Sequence, residues 1–420
     1  MTMDPWTRRR FLRASGVAAG AAIAAGAGGI GLAELLRTGA DAPADAPQTN
    51  KLVLVTLYGG NDGLNTVVPY TDPAYHSARP ELAYAPEKVL HLDDTLGLNP
   101  TLPGLRRLWD EKQLAVVLGV GYPMPDRSHF RSMDIWQTAS PQAAVPTGWV
   151  GRWLDGTKAA PEAAVSFEPV LPPVLAGETR AGACVGVGGL DLPPGVSVES
   201  VAALGEVAEG EPEMQARAAG TYRDLLRVER LVRGAEQHHA AGPGGAAEEL
   251  PTTGPGSRSV LETQLALVAS CVEAGVPTQV YSVSLDGFDT HAHALVGQES
   301  LLRRLDRALS AFLDRMARTE AGRRVTVVVY SEFGRRVRAN ASQGTDHGTA
   351  GPVFVLGPQV DGGFFGEQPS LTDLDDGDLK ATVDFRDVFG AVLASVLHAD
   401  PDRYLGAGYR STPLPLFRTD

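Results

Sequence analysis

Apolar, β-branched runs that stop abruptly at glycines, acids or histidines punctuate this chain. Lys51–Tyr58 (KLVLVTLY) shows no strict alternation of polar and apolar residues and ends in Gly59-Gly60-Asn61-Asp62-Gly63. A strand of this kind is buried on both faces, as in a parallel sheet covered by helices. Comparable runs occupy 114–120, 278–285, 325–330 and 353–356. Between and after them, 102–109, 127–138, 261–274, 301–318 and 387–398 read as helices, and Pro125-Asp126 stands where the second would start. Strands and helices in this rhythm predict an α/β fold, an α/β/α sandwich around a mostly parallel central sheet.

The 420 residues suffice for one large domain, and the net charge is −13. No Lys/Arg-rich stripe occurs outside the N-terminus, which excludes nucleic acid as the expected partner. The N-terminus itself, Thr7-Arg8-Arg9-Arg10-Phe11-Leu12-Arg13 before an Ala/Gly-rich stretch, resembles a twin-arginine export signal. Small residues at Ala40-Asp41-Ala42 and Ala44-Asp45-Ala46 offer cleavage points. The stretch is too poor in Leu, Ile and Phe to make a stable membrane anchor. Residues 1–46 are therefore expected to be a signal peptide. The export machinery is then a partner, and the location is periplasmic, cell-surface or extracellular. Residues 47–420 are expected to form the domain, with Pro-, Gly- and acid-rich insertions around 140–255 and an amphipathic helix at 216–233 within them. Cys184 and Cys271 permit one disulfide, although Cys271 in its apolar helical stretch reads as a small core residue.

In open α/β sheets, ligands bind beyond the carboxyl ends of the strands. Asp62, Asp289, His291, His293, Glu332, Asp346 and His347 all follow apolar runs, from widely separated parts of the chain. Carboxylates and imidazoles converging in this way suit a divalent cation (Zn, Mn, Mg or Ca) that activates a nucleophile or stabilises a leaving oxygen. Each residue also has a plainer reading. Asp62 is a turn residue among glycines, Asp289 caps a helix, His293 is an exposed helix residue, and Glu332 pairs with Arg335. Ser128, flanked by Arg127 and His129 in the first turn of a helix, is the candidate nucleophile. There, free N–H groups favour an anion. Its alternative is a helix cap.

Leu57-Tyr58-Gly59-Gly60-Asn61-Asp62-Gly63-Leu64-Asn65, Arg127-Ser128-His129-Phe130, Gly287-Phe288-Asp289-Thr290-His291, Ser331-Glu332-Phe333-Gly334-Arg335 and Thr345-Asp346-His347-Gly348 resemble, in order, the motifs of the DUF1501 family. That family looks related to the alkaline phosphatase superfamily, with its sulfatases and phosphodiesterases. The resemblance implies an alkaline phosphatase-like sandwich with metal at the strand ends. It also implies an exported hydrolase or transferase acting on a small anionic phosphate or sulfate ester. Arg127 or Arg335 would hold the anion. The superfamily's Asp-x3-His spacing picks out Asp289 and His293, whereas the DUF1501 motif favours Asp289 and His291. Where the superfamily has Asp-His after a strand, this chain has Glu332-Phe333, and phenylalanine binds no metal. One cation site then keeps Asp289, a histidine and His347. A second keeps only Asp62 and Glu332. The alternative is a catalytically degenerate binding or assembly protein.

Overall fold

The computed structural model describes residues 49–168, 170–185 and 260–418, with Leu35 and Thr38 besides. Apart from those two residues, the expected signal peptide lies outside them, as does the expected helix at 216–233. Its strands are β1 Lys51–Tyr58, β2 Val67–Val68, β3 Leu90–His91, β4 Gly97–Leu98, β5 Leu114–Gly121, β6 Ala164–Ser166, β7 Ala183–Cys184, β8 Val280–Asp286, β9 Val325–Ser331, β10 Arg335–Ala339, β11 Thr345–His347, β12 Gly351–Leu356, β13 Gly363–Phe365 and β14 Val383–Asp384. The helices are α1 Pro73–Ala78, α2 Pro103–Asp110, α3 His129–Thr138, α4 Trp149–Thr157, α5 Val260–Glu273, α6 Ala294–Met316 and α7 Phe385–Ser395.

A nine-stranded sheet, in the order β13-β5-β12-β9-β1-β8-β6-β7 with β14 also on β5, forms the centre. β1 pairs in parallel with both β8 and β9, and β12 runs antiparallel to both β9 and β5. The absence of alternation in β1 now has its cause. Val53, Val55 and Leu57 face one apolar layer, shared with α2, α5 and α6. Leu52 and Leu54 face the other, shared with α3, α4 and α7. The result is the expected sandwich with a mostly parallel sheet.

Residues 149–185 correct the expectation of an insertion here. They supply α4 and the strands β6 and β7 of the main sheet, and Val165, Phe167 and Trp149 are fully buried. The signal was short and broken by prolines, so a two- or three-residue strand left no periodicity to read. Cys184 and Cys271 are both free thiols, and Cys271 is buried as expected.

Registers align the strand ends. Tyr58 stands opposite Asp286, and Leu57 stands opposite Ser331. Gly351, which opens β12, stands opposite Val120 near the end of β5. The loops after β1, β5, β8 and β9 and the segment before β12 therefore meet at one edge of the sheet. A satellite core built on Leu64, Val68, Tyr75, Val337 and Leu371 packs over part of that edge. It delivers Arg79, fully buried, whose Nη1 donates to both carboxylate oxygens of Asp62 at 2.7 Å. The same guanidinium donates to the Val337 and Arg336 carbonyls at 2.7 and 2.6 Å.

Removing one partner of a buried, hydrogen-bonded pair strands the other charge, at a cost of about 3–5 kcal/mol. Asp62→Ala should therefore lower the unfolding free energy by about that amount in urea titrations. The double variant Asp62→Ala/Arg79→Met should recover part of the loss. A variant that keeps its stability but loses bound metal would instead make Asp62 a ligand.

Candidate metal centre

Two glycines bring the first loop to the site. Gly59 and Gly60 have φ of +112° and +70°, the left-handed region that side chains disfavour. A Cβ on Gly59 would lie 2.5 Å from the Asp289 amide nitrogen, and one on Gly60 would lie 2.3 Å from the Phe333 ring. Their carbonyls accept from Arg335, whose Nε donates to the Gly60 oxygen at 2.7 Å. The buried Arg335 also donates to the carbonyls of Thr345 at 2.9 Å and Phe288 at 3.0 Å, and to Asp289 Oδ1 at 2.8 Å. One side chain thus fastens together the loop after β1, the loop after β8 and the β10–β11 hairpin. Arg335 was expected to hold an anionic substrate. Its donors are instead spent on the protein.

Asp289 Oδ1 is the point of convergence. His291 Nε2 lies 2.9 Å away, His347 Nε2 3.1 Å and His129 Nε2 3.4 Å. Burial pushes the Asp289 carboxyl up. The hydrogen bond and charge of Arg335, with His347 and His291 alongside, outweigh it and hold the group well below the usual carboxylate range. Asp289 is therefore an anion at every pH at which the protein functions near neutrality.

Partners on the far side of two rings settle where their protons are. His347 Nδ1 lies 2.8 Å from the Arg127 carbonyl, which can only accept, so Nδ1 carries the proton. His129 Nδ1 lies 2.7 Å from Glu332 Oε1. Glu332, buried, also accepts from the Gly59 amide at 2.9 Å, so the proton again belongs to Nδ1. In their neutral forms both rings then turn an Nε2 lone pair toward a carboxylate oxygen. Acceptors facing acceptors need a proton or a metal cation between them. His129 Nε2 is buried with no hydrogen-bond partner.

The spacing fits a metal ion. Metal–ligand bonds of about 2.0–2.2 Å place neighbouring ligand atoms roughly 3.0–3.5 Å apart. The distances to Oδ1 fall in or beside that range, and His129, Asp289 and His347 each offer an atom within 4.8 Å of the others. His291 Nε2 lies 2.9 Å from His347 Nε2, beside this three-residue group and not within it. The Phe333 ring forms the floor, with centroids 4.8 Å from His129 and 5.0 Å from His347.

The other candidates stand elsewhere. Asp62 is engaged by Arg79. His293 has φ +46° at the N-cap of α6, which starts earlier than its apolar pattern, and its Nδ1 lies 3.1 Å from Gln343 Oε1. Asp346 accepts from Asn340 at 3.1 Å and lies 3.8 Å from His291 Nδ1, so it sits behind that ring. Glu332 orients His129 from behind. The carboxylates expected for a second cation are thus employed otherwise, and the three-residue group is the one ligand cluster among the described residues. His129, expected beside the nucleophile, is a ligand candidate instead. The clue in the sequence was its position on the first turn after β5.

Ser128 is the N-cap of α3, exposed, with its side chain making no capping bond. Its amide donates to Asp126 Oδ1 at 2.7 Å. Arg127, also expected to hold the anion, turns its guanidinium to Asp378 at 2.8 Å and Asp376 at 3.1 Å.

Among solved structures, the chain is similar to a protein in the alkaline phosphatase superfamily from Vibrio parahaemolyticus. The two are 8% identical at a TM-score of 0.39, over 87% of this chain and 74% of that one. It is also similar to a phosphonate monoester hydrolase from Silicibacter pomeroyi, with 10% identity, a TM-score of 0.35 and coverage of 86% and 78%. Likeness at this level carries no argument about activity. No curated protein matches the sequence. The chain belongs to the DUF1501 family, described as a protein of unknown function, with the match spanning residues 49–407.

Proposed function

We propose that the protein is an exported metal-dependent hydrolase or transferase of phosphate or sulfate esters, built on one divalent cation. One observation carries this reading: the unpartnered His129 Nε2, aimed with His347 Nε2 at the Asp289 carboxylate. His129, Asp289 and His347 would hold the ion, and two imidazoles favour zinc over manganese, magnesium or calcium. Such an ion supplies Lewis acidity and makes a bound hydroxyl or water a nucleophile near neutral pH. Glu332 keeps His129 in the tautomer that ligates, and the Arg127 carbonyl does the same for His347. Arg335 keeps Asp289 ionised and fixed. Ser128, next to a ligand and at the start of a ten-residue helix, presents its hydroxyl where first-turn N–H groups favour an anion. Passage through the twin-arginine route in the folded state would let the ion be loaded before export. No helix among the described residues is long and apolar enough to cross a membrane.

A specific observation favours a second reading. Both arginines expected to clamp the anion are committed to protein partners. That is the pattern of a metal-stabilised binding or assembly protein without turnover.

Elemental analysis of protein purified from its native compartment should find about one equivalent of a transition metal, by the site's donor set. His129→Ala, Asp289→Ala and His347→Ala should each abolish it with folding retained. Metal-free but folded wild type after metal-replete growth would rule the centre out. Glu332→Gln should keep the ion at saturation but weaken its affinity about 10–100-fold in competition with a chelator, as second-shell changes do. Ser128→Ala should leave the metal in place. Loss of aryl phosphate or sulfate turnover in that variant supports the hydrolase. Wild type that binds metal yet turns over neither ester supports the second reading.

A further inference from the structure

Immediately beside the cluster the surface sinks into a cavity of about 480 Å³. His129, Asp289 and Glu332 stand on one side, and Phe130, Met133 and Pro173 form apolar wall. Phe130 directly follows the ligand candidate His129, and its side chain is 91% exposed. Together with Met133 and Pro173 it gives the cavity an aromatic and apolar lining.

Charge narrows the partner further. Asp134, Asp289 and Glu332 border the cavity, and no lysine or arginine does, so an anionic group is repelled from it. The edge at Tyr58 is already satisfied. The Tyr58 hydroxyl lies 3.3 Å from the Gln137 amide nitrogen and 3.3 Å from Glu168 Oε2, and asks nothing of a ligand. Beyond Phe333 lies a second cavity, of about 500 Å³, but Arg127, Asp376, Asp378 and Lys380 line it, so its character is ionic.

The geometry points to an uncharged aromatic group as the occupant of the Phe130–Met133 cavity: the aryl alcohol portion of an ester whose acid portion faces the metal cluster. The word ester rests on the hydrolase reading; the aromatic occupant does not. Phe130 and Met133 are then the residues that set specificity, offering a ring face and a polarisable sulfur to a flat group. Asp134 and Glu332 exclude substrates that carry a second negative charge on the alcohol side.

The test is a fluorescence titration of the full mature protein with N-phenyl-1-naphthylamine, a neutral aromatic probe that brightens in apolar surroundings. Wild type should give a saturable, single-site rise, unchanged after the metal is stripped with chelator. Phe130→Ala should weaken the probe at least tenfold and Met133→Gln severalfold, with circular dichroism reporting intact folding. Where turnover is present, Phe130→Ala should lower kcat/KM for 2-naphthyl phosphate about tenfold more than for methyl phosphate. Failure to saturate, or an affinity that neither substitution moves, overturns the inference. Probe binding without any ester turnover upholds the aromatic cavity and removes only the hydrolase reading.

Discussion

The Arg335 guanidinium is the interaction on which the edge of this sheet depends. Backbone carbonyls at Gly59, Gly60, Phe288 and Thr345 all point inward, and a buried carbonyl without a donor is costly. A planar cation with five N–H groups in fixed directions satisfies them together, and its remaining reach goes to Asp289. Lysine, a point charge on a flexible stem, has neither the number of donors nor the fork. The two glycines with positive φ follow from the same arrangement. Only without Cβ atoms can the loop after β1 pass between the Phe288–Asp289 backbone and the Phe333 ring while presenting its carbonyls to Arg335.

With that edge fixed, the reversed strand decides which residues meet. Parallel strands bring their carboxyl ends to the site, so Asp289 and Glu332 arrive after β8 and β9. β12 runs the other way, and its beginning lies at this edge. His347 can therefore reach the cluster from in front of a strand. The hairpin that carries it is held in register by the Arg335–His347 pair. One residue thus both anchors Asp289 through its side chain and positions His347 through its backbone.

Much of this was legible in the chain, for identifiable reasons. The long buried strands and helices announce themselves by period, and β1 coincides with its apolar run because both faces are covered. Asp289, His291 and His347 were legible as strand-end donors. The roles of charged residues were not, because a role depends on partners far away in sequence. Asp62 looks like a ligand until Arg79 from the satellite core is seen against it. Arg127 and Arg335 look like anion holders until their acceptors are in place. The place of His129 in the cluster is hidden in the sequence because it depends on Glu332, which fixes its tautomer across the site. Short edge strands such as β6 and β7 carry too few residues for any pattern to emerge.

Phe333 links these points. Its side chain offers no donor to the histidine and carboxylate cluster beside it. What the ring does contribute is shape. It packs against His129 and His347 and fills the space that Gly60 leaves open, so the imidazoles stand on an apolar floor. Low polarity beneath the rings strengthens the electrostatic interactions on that side of the cluster. Phe333 also stands between the two cavities, bordering the ionic one directly and packing against His129, which borders the apolar one. The apolar floor under the imidazoles and the separation of a charged from an uncharged cavity are therefore consequences of the same side chain.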